Sequence, residues 1–519
     1  MRNTNLMGSD NPIQKTIYSF FDNNREVLII SFLTGLIAYG YELFNFSLSI
    51  DEDISSFISA SESVVYLTVG RWGVFLLNHI INPHSVLPYY PTFLTIISLA
   101  LSATIVAGSI PLSRGSKIIF AMLYISHPIH ANYIAFNTSG MYYAMGMVFT
   151  AISFVLFEKH IWKKKIKVVY FLAPLFFFVL ALSVYQALIS FLLVLMFLSL
   201  LLHLLQGNVN GRQILRVVLY YLLLFVLAVA VYKIFDLFSR YIWLHGDEKY
   251  QSEYLDIFVG WGRQSIFATL SLLSSIVKAY FTGDEGTTGI SGFSTIMSPL
   301  LAILFIISIY RNAKNIPWFA IQFIVMVLMM LSPFVVMFFL GHQLPPRALF
   351  PVALMVGIVW MLTHHYAKPW LKTFILAGVF LLVLNNTYII TRLFYSQQLV
   401  MQADRDMANR IAERIFLLDI EPESNGKIPV CFAGGSDYDS NLLYFKSGLF
   451  GLSYFKNMYN NPVRIQVLYR YIGVNDFAIK NCNNHPEISN AILQMPAWPM
   501  KGSVKQVEGI VVVKLSAPF

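Results

Sequence analysis

Three acidic side chains follow directly on a long apolar run, in the stretch NFSLSIDEDISSF at residues 45–57. A carboxylate of Asp51, Glu52 or Asp53 can serve as a general base for a hydroxyl group, provided that it lies within hydrogen-bond reach of the proton. The alternative is structural, because Ser49 and Glu52 have the spacing of a capping box and acids favour the first turn of a helix. The spacing is compatible with both roles.

Two arginines stand in similarly apolar surroundings. Arg71, in VGRWGVFLL, is the only Lys or Arg between residues 26 and 113. An arginine in a bilayer costs about 2.5–3.5 kcal/mol on insertion scales, so we expect a partner, such as Glu42, Glu62 or the three acids, or snorkelling to the headgroups. The functional alternative is a lipid-linked phosphate, which a guanidinium binds in bidentate fashion. Arg347, in HQLPPRALFP, presents the same two options, and its prolines restrict the loop that carries it.

Further polar side chains occur near predicted helix ends. SVYQAL places Tyr185 and Gln186 in a short turn, and HPIHANYIAFNTSGMYY contains His127, His130 and Asn132. Hydrogen-bonded buried histidines are favoured over metal ligands because no third ligand has diagnostic spacing, and we predict no metal site. The sequence contains no Walker, dinucleotide, GxSxG or CxxC motif. An activated lipid is therefore the natural alternative to a nucleotide as a source of energy.

The composition indicates which elements position these residues. Of the 519 residues, 57% are hydrophobic and 12% are charged, whereas soluble domains carry about 25% charged residues. Apolar blocks such as VVYFLAPLFFFVLALSVY are long enough to span a bilayer. We predict a polytopic α-helical membrane protein, in which the net charge of +9 reflects basic cytoplasmic loops and not a nucleic-acid partner. No cleaved signal peptide is expected.

The apolar blocks predict about eleven transmembrane helices of ~20 residues each. They lie at 27–46, 91–112, 117–135, 141–157, 167–184, 187–205, 214–235, 295–310, 316–340, 348–363 and 371–391. The short loops that we assign to the cytoplasm contain Arg114, Lys117, Lys159, Lys163, Lys164, Lys165, Lys167, Arg212, Arg216, Arg311, Lys314, Lys368 and Lys372. The opposite connections at 132–140 and 184–187 contain no Lys or Arg, which predicts a cytoplasmic N-terminal segment, 1–26, and an exoplasmic C-terminus.

Two longer connections fall on the exoplasmic side of a membrane domain at 27–391. Residues 47–90 are predicted to contain helices that lie along the membrane interface. Residues 236–294 include IFATLSLLSSIVKAYF, so residues 264–281 form either another interfacial helix or a short twelfth span.

After residue 391 the composition changes to that of a small soluble α/β domain, 392–519. MQADRDMANRIAERIFLL is typical of an amphipathic helix, and KIPVCFAGG, RIQVLYRYIGV and GIVVVKLS read as strands. Both cysteines of the chain, Cys431 and Cys482, lie in this domain. An exoplasmic compartment allows a disulfide between them, and two buried free thiols are an equal alternative.

Four stretches carry a resemblance to a known family: YGYELFNFSLSIDEDI, GRWGVFLL, SVYQALISF and MPAWPMKGSVKQVEGIVVVKL. They resemble the bacterial and phage serotype-conversion glucosyltransferases, the type II O-antigen glucosyl transferases. That family is similar to the GT-C class, whose members use a polyprenyl-phosphate sugar and an acidic residue in the first exoplasmic loop. Family members more often show two adjacent acids where this chain reads Asp-Glu-Asp, so the position of the base stays open.

The resemblance implies a GT-C-like fold and an inverting glucosyltransferase in the bacterial inner membrane, with a periplasmic C-terminus. Asp51 or Asp53 would be the base, with Glu52 as the third candidate, and Arg71 and Arg347 would neutralise the departing phosphate. The implied sugar and acceptor contacts are Glu42, Trp72, Tyr185, Gln186 and Asn132. Polyprenyl-phosphate-glucose would be the donor substrate, with no further cofactor required.

The implied partners are membrane lipids, a lipid-linked O-antigen acceptor, and the glucosyltransferase and flippase that make and translocate the donor. Two other functions stay open at this point. A different lipid-linked glycosyltransferase, for mannose or aminoarabinose, has the same physical requirements. A polysaccharide or lipid transporter is less favoured, because its ionisable groups are expected near the bilayer midplane and not at span ends.

Overall fold

A computed structural model gives the fold of most of the chain. It describes residues 12–48, 64–81, 87–163, 167–207, 209–244, 259–282, 303, 305–306, 309–310, 313, 315–436, 438, 449–457, 462–482 and 486–516. The acids Asp51, Glu52 and Asp53, and Glu62, lie outside the described residues, as does most of the predicted span at 295–310.

The N-terminal part is helical. In chain order its helices are α1 (Pro12–Asn23), α2 (Arg25–Phe44), α3 (Val64–Thr68), α4 (Trp72–Ile81), α5 (Tyr90–Ser109), α6 (Arg114–Ile125), α7 (Ala131–Ile134), α8 (Gly140–Ile161), α9 (Val169–Val184) and α10 (Leu188–Gln206). The series continues with α11 (Gly211–Leu244), α12 (Ile266–Thr282), α13 (Ile316–Leu331), α14 (Val335–Leu340), α15 (Pro351–Tyr366) and α16 (Pro369–Phe416). Short 3-10 turns precede α7, α14 and α15, at Pro128–His130, Ser332–Phe334 and Pro346–Leu349.

Eight of the described helices are long and apolar enough to cross a membrane. They are α2, α5, α8, α10, α11, α13 together with α14, α15 with its preceding turn, and α16. The helices α4, α9 and α12 are apolar but shorter. The chain is therefore a mostly helical membrane protein, and eight such helices, not eleven, are found in the described part of the chain.

The predicted span at 117–135 is wrong as a single helix. The chain leaves the α-helical conformation after Ile125, and His127 is extended with φ −68° and ψ 127°. Pro128 causes this break, because a proline disfavours helical geometry in the residue before it. The His127 ring then caps the following turn by accepting a hydrogen bond from the Ile129 backbone N–H at 3.3 Å.

The predicted span at 214–235 ends too early, since α11 is 34 residues long and continues to Leu244. The polar residues that suggested an end are paired along the helix itself. Lys233 and Arg240 lie three residues before and four residues after Asp236 and both bind its carboxylate, at 3.0 and 3.1 Å. Such i,i+3 and i,i+4 pairs stabilise a helix where single charges would end an apolar run.

The helix contacts divide the bundle into two ends. At one end, which we call the Arg71 end, the α3–α4 turn, the start of α8, the α9–α10 turn, Tyr232 of α11 and the residue before α15 are connected by hydrogen bonds and ring contacts. At the other, the Arg114 end, Arg114 forms an ion pair with Glu26 at the start of α2. There Ser116 also bonds His364 at the end of α15, at 2.8 Å. The basic residues assigned to cytoplasmic loops that the structure describes lie near this second end.

The C-terminal part is a small α/β unit joined to the bundle by α16. Its elements are β1 (Ile428–Ala433), α17 (Tyr454–Asn457), α18 (Pro462–Tyr471), β2 (Phe477–Lys480), α19 (Pro486–Gln494), β3 (Val504–Val507) and β4 (Ile510–Lys514). The sheet order is β2-β1-β4-β3, with β1 parallel to both β2 and β4 and with β3 antiparallel to β4. The strands β1 and β4 are fully buried, as continuous apolar strands of parallel sheets are.

The interpretation of RIQVLYRYIGV as a strand is wrong, because these residues form most of α18. Ile465, Leu468 and Tyr469 are buried together at helical spacing against the sheet. This periodic burial outweighs the strand propensity of the β-branched and aromatic residues. The other two predicted strands are β1 and β4.

The helix α16 has 48 residues, which at 1.5 Å per residue is about 72 Å, more than twice the hydrocarbon thickness of a bilayer. It continues through the predicted boundary at residue 392. Its last turns, with Ala408, Ile411 and Ile415, pack in the core of the C-terminal unit. Leu48, just beyond α2, packs in that same core, and Gln397 binds both its carbonyl and the Gly451 N–H. The C-terminal unit therefore lies at the Arg71 end.

Candidate functional site

Arg71 lies in the turn between α3 and α4. The Gly70 and Arg71 N–H groups donate to Leu67 O and Tyr66 O at 3.0 and 2.7 Å, which is the Schellman pattern that ends a helix with a left-handed glycine. Gly70 has the required φ of +73°. The Arg71 carbonyl in turn accepts from the Val74 and Phe75 N–H groups and so begins α4. Two helix ends thus fix the backbone of this one residue.

The guanidinium of Arg71 lies among aromatic rings from other helices. Its Nη1 donates to the hydroxyl of Tyr143 at 2.7 Å. Its Cζ lies 5.4 Å from the ring centroid of Tyr143 and 5.0 Å from that of Tyr185, and these two rings stack with centroids 4.6 Å apart. The arrangement is a cation held on aromatic faces. Arg71 as a whole is half-buried.

Arg347 borders the same aromatic cluster. The ring of Tyr185 stacks on Phe350 with centroids 6.1 Å apart, and Phe350 is the residue before α15, one turn after Arg347. The Arg347 Cζ lies 5.1 Å from the ring centroid of Phe136. The structure thus places both predicted arginines at one end of the bundle, beside connected aromatic residues.

The loop before Arg347 is held by a tryptophan from another connection. The Trp261 indole N–H donates to the carbonyls of Phe338 and Phe339, at 3.1 and 3.0 Å, at the end of α14. Gly341 has φ +67°, and a Cβ there would lie 2.7 Å from the Trp261 ring. Glycine is required at this position for both reasons. The chain then runs through Pro345 and Pro346 into the turn that carries Arg347.

The turn before Arg71 is bound by two helices that are distant in sequence. Gln186 Nε2 donates to Gly70 O at 3.0 Å, to Val69 O at 3.3 Å and to the Tyr232 hydroxyl at 2.8 Å. The Tyr232 hydroxyl donates to Gly70 O at 2.8 Å. Gln186 was predicted as a sugar or acceptor contact, and its amide nitrogen is engaged with the backbone beside Arg71.

A buried carboxylate adjoins this turn. Asp236 is 1% exposed, and each of its two oxygens accepts from a cation, Lys233 or Arg240. Each oxygen of this carboxylate is thus engaged in a charge-assisted hydrogen bond. The geometry therefore assigns Asp236 to an ion-pair network and not to general-base chemistry.

The remaining predicted contact residues are distributed around this end. Glu42 is buried within the last turn of α2, with an exposed fraction of 3%. Trp72 is buried at the start of α4, and its ring lies 5.6 Å from that of Phe235 on α11. Asn132 is buried in α7 and donates to Ile129 O at 3.3 Å, a bond within its own segment. Trp72, the residue after Arg71, therefore packs against α11, and Asn132 bonds within its own segment.

The two histidines of HPIH are buried. His130 bonds Tyr124 O and the Tyr133 hydroxyl through its two ring nitrogens, at 2.8 and 2.9 Å. Within the described part of the chain, no group of three or more His, Cys, Asp or Glu side chains could hold a metal ion.

Sequence reasoning missed several residues of this site, chiefly Tyr143, Tyr232, Asp236 and Phe350. One signal was available for Asp236: an acid flanked at helical spacing by two bases in the otherwise apolar stretch VYKIFDLFSR. Nothing in the spacing of the aromatic residues distinguishes Tyr143 or Phe350 from the many other aromatic side chains of the spans.

In the C-terminal unit, Cys431 and Cys482 form a disulfide with Cα atoms 5.3 Å apart. It connects β1 to the segment after β2. Asp404 on α16 accepts from Ser453 Oγ and the Tyr454 N–H, both at 2.7 Å. These bonds fix the unit on the helix that carries it from the bundle.

This end of the bundle carries positive charge beside aromatic rings. It offers two guanidiniums, aromatic faces that suit a sugar ring, and the N-terminus of α4, whose dipole favours negative charge. A phosphate group is compatible with the guanidiniums and with the helix N-terminus.

Comparison with known protein families gives the following result. The family model described as Glucosyl transferase GtrII matches residues 40–364, which is more than half of the chain and includes Arg71, Gln186, Tyr232 and Arg347. No curated protein matches the chain.

Proposed function

Because the chain belongs to the GtrII glucosyl transferase family, we propose that it transfers glucose from a polyprenyl-phosphate donor to a hydroxyl group of an O-antigen repeat unit. The proposed reaction takes place at the periplasmic face of the bacterial inner membrane. One observation carries the donor assignment: the guanidinium of the half-buried Arg71, held on the stacked rings of Tyr143 and Tyr185 at the end of an apolar bundle.

The reaction is a single displacement. The acceptor hydroxyl oxygen attacks the anomeric carbon and forms the new C–O bond, while the bond from that carbon to the phosphate oxygen breaks. The hydroxyl proton moves to a carboxylate of the protein. The electron pair of the broken bond stays with the phosphate, which leaves as polyprenyl phosphate. Attack opposite to the leaving group inverts the anomeric configuration.

The two arginines act on the leaving group. The phosphate diester of the donor carries one negative charge, and bond cleavage adds negative charge to its oxygen. Arg71 and Arg347 therefore bind the transition state more strongly than the ground state, which is the requirement for catalysis by electrostatic stabilisation. The low-dielectric surroundings of the aromatic cluster strengthen this interaction.

For the base we propose Asp51 or Asp53, with Glu52 as the third candidate. Asp236 is unsuitable because both of its oxygens bind cations. Glu42, Trp72, Tyr185 and Asn132 are proposed contacts of the sugar or acceptor. No metal ion is required, since a single phosphate can be neutralised by two guanidiniums.

The C-terminal unit is proposed to select the acceptor, because it lies at the same end of the bundle as Arg71. The acceptor would be an O-antigen repeat on its own lipid carrier. The donor would be made by a second glucosyltransferase on the cytosolic leaflet and carried across by a flippase.

The test is transfer by the purified protein in proteoliposomes that contain polyprenyl-phosphate-[¹⁴C]glucose and a lipid-linked O-antigen repeat. The expected product has one added hexose per repeat by mass spectrometry. Parallel donors with mannose or aminoarabinose address the sugar. Transfer from one of these and not from the glucose donor would overturn the assignment of glucose, and absence of transfer from every lipid-linked donor would overturn the reaction.

Asp51→Asn and Asp53→Asn address the base in this assay. General-base catalysis contributes about 10²–10⁴-fold, so one variant is expected to lose activity by that factor and the other to keep it. Normal activity in both variants, with loss in Glu52→Gln, would make Glu52 the base, and normal activity in all three variants would overturn the assignment of the base to this stretch.

A further inference from the structure

The carbonyl of Gly70 accepts two hydrogen bonds from side chains of different elements. Gln186 donates from the α9–α10 turn at 3.0 Å and Tyr232 donates from α11 at 2.8 Å. Gln186 also donates to Tyr232, so that the three groups form a closed triangle. The sequence separations, 116 and 162 residues, show that the contact is tertiary and not part of the local turn.

The triangle acts on the peptide unit that leads into Arg71. The backbone torsion angles on both sides of this peptide unit are largely fixed by the Schellman hydrogen bonds of α3 and by the first turn of α4. The two side-chain hydrogen bonds then fix the tilt of the whole α3–α4 turn relative to α11. That tilt decides where the Arg71 guanidinium lies relative to Tyr143 and Tyr185.

We propose that Tyr232 and Gln186 are positioning residues that place the Arg71 guanidinium for the donor phosphate. The inference rests on the proposed function and assigns to that site two residues that do not touch the reacting atoms. The tight packing around the turn supports this assignment, since a Cβ on Gly70 would lie 2.5 Å from the Tyr232 hydroxyl and 3.2 Å from Gln186 Nε2. The fit leaves no room for the turn to approach α11 further.

Asp236 supports the same assignment. Its carboxylate lies one turn after Tyr232 on α11, where a Cβ on Gly70 would be 3.5 Å away. Lys233 and Arg240 both bind this carboxylate, so the side chains of α11 around Tyr232 hold one another in place. Positioning to within about 0.5 Å depends on such supporting contacts.

The test uses Tyr232→Phe, which removes one donor and one acceptor and keeps the ring. The expected result is a three- to tenfold rise in the KM for polyprenyl-phosphate-glucose with an unchanged KM for the acceptor. Tyr241→Phe is the matched control, because Tyr241 is on the same helix and 77% exposed. Gln186→Met, which keeps the side-chain length, is the second variant and is expected to change the same constant.

A double-mutant cycle separates positioning from a general loss of packing. In an Arg71→Ala background, Tyr232→Phe should change the donor KM by less than twofold, because the residue acts through Arg71. Equal effects of Tyr232→Phe with and without Arg71 would overturn the inference, as would a change confined to thermal stability.

Failure of the proposed function and failure of the positioning inference give different results. If the wild type does not transfer glucose, the cycle is measured as binding of polyprenyl phosphate to the full-length protein by native mass spectrometry. Non-additive losses of binding would then support positioning of Arg71 for a phosphate. Additive losses would contradict it.

Discussion

At the scale of single residues, the two charged groups beside the α3–α4 turn, Arg71 and Asp236, are each held by identified neighbours. Arg71 has two aromatic faces and a tyrosine hydroxyl. Asp236 has two cations. A charge without such partners would cost several kcal/mol in a low-dielectric interior. The difference between the two is that the partners of Asp236 are cations, whereas the two rings and the hydroxyl around Arg71 are neutral groups.

Arg71→Ala is expected to raise the donor KM and to lower kcat, so that kcat/KM falls by about 10²-fold or more, since it removes the positive charge that stabilises the departing phosphate. Arg71→Lys should recover only part of this activity, because an ammonium lacks the planar fork and the stacking of a guanidinium. Arg212→Ala, at an exposed residue of the Arg114 end, is the control. Unchanged donor saturation in Arg71→Ala would make Arg71 a structural residue.

Glu158 is a residue of the opposite end with a purely structural assignment. Its carboxylate accepts from Trp162 Nε1 at 2.9 Å and from Ser199 Oγ at 2.7 Å, and it lies 3.8 Å from His203. Glu158→Ala leaves these donors without an acceptor and should lower the free energy of unfolding by about 2–3 kcal/mol. Glu158→Gln should recover part of it. The measurement is thermal unfolding in detergent, and an unchanged kcat of the folded fraction is the accompanying expectation.

At the scale of elements, the turns between helices determine the site. The α3–α4 turn carries Arg71, the α9–α10 turn carries Tyr185 and Gln186, and a proline-restricted turn carries Arg347. Each turn is fixed from outside by a partner that is distant in sequence. This is the arrangement expected where loops carry the functional groups and a rigid scaffold positions them.

Gly70→Ala is the prediction for this scale. The alanine would have to adopt the left-handed backbone conformation of Gly70, and its Cβ would lie only 2.5 Å from the Tyr232 hydroxyl. The conformational term alone costs about 1–2 kcal/mol, and the displaced turn should reduce transfer at least tenfold. Gly262→Ala is the matched control, since Gly262 has φ +88° with nothing within 4 Å of an added Cβ. Equal activities of the two variants would show that only backbone strain, and not the contact with α11, is at issue.

At the scale of the whole molecule, the basic loop residues and the candidate site lie at opposite ends of the helix bundle. The described Lys and Arg residues of the predicted cytoplasmic loops lie near the Arg114 end. The aromatic cluster and the C-terminal unit lie at the Arg71 end, about a bilayer thickness away along helices such as α10, whose 19 residues span about 28 Å. The separation matches the positive-inside rule if the Arg71 end is exoplasmic.

Reporter fusions test this orientation. A periplasmic reporter joined after residue 392 is expected to be active, and the same reporter joined after Lys167 is expected to be silent. Alkylation of intact cells followed by mass spectrometry gives a second readout, because Cys431 and Cys482 should be found bridged in an oxidising compartment. A bridged pair is expected to resist alkylation until reduction. The opposite reporter pattern would invert the topology.

The sequence by itself determined the membrane character, the positions of most long helices and the two unusual arginines. These are local properties: the length of an apolar run and the isolation of a charge within it are read from neighbouring residues. It also determined the turn at Tyr185 and Gln186 and the strands β1 and β4, for the same reason. It failed at Pro128 and in α18, where a single proline and a periodic pattern of burial outweighed the apolar and β-branched composition.

Only the tertiary structure decided that Arg71 meets Tyr143 and Tyr185, that Gly70 meets Tyr232, and that both arginines border one aromatic cluster. The hydrogen bonds among these contacts join residues that are 72 and 162 positions apart. Every span offers aromatic and apolar side chains of similar chemistry, so composition does not select among the possible neighbours. The packing of the helices selects them, because close contact depends on where glycines and small side chains allow two backbones to approach.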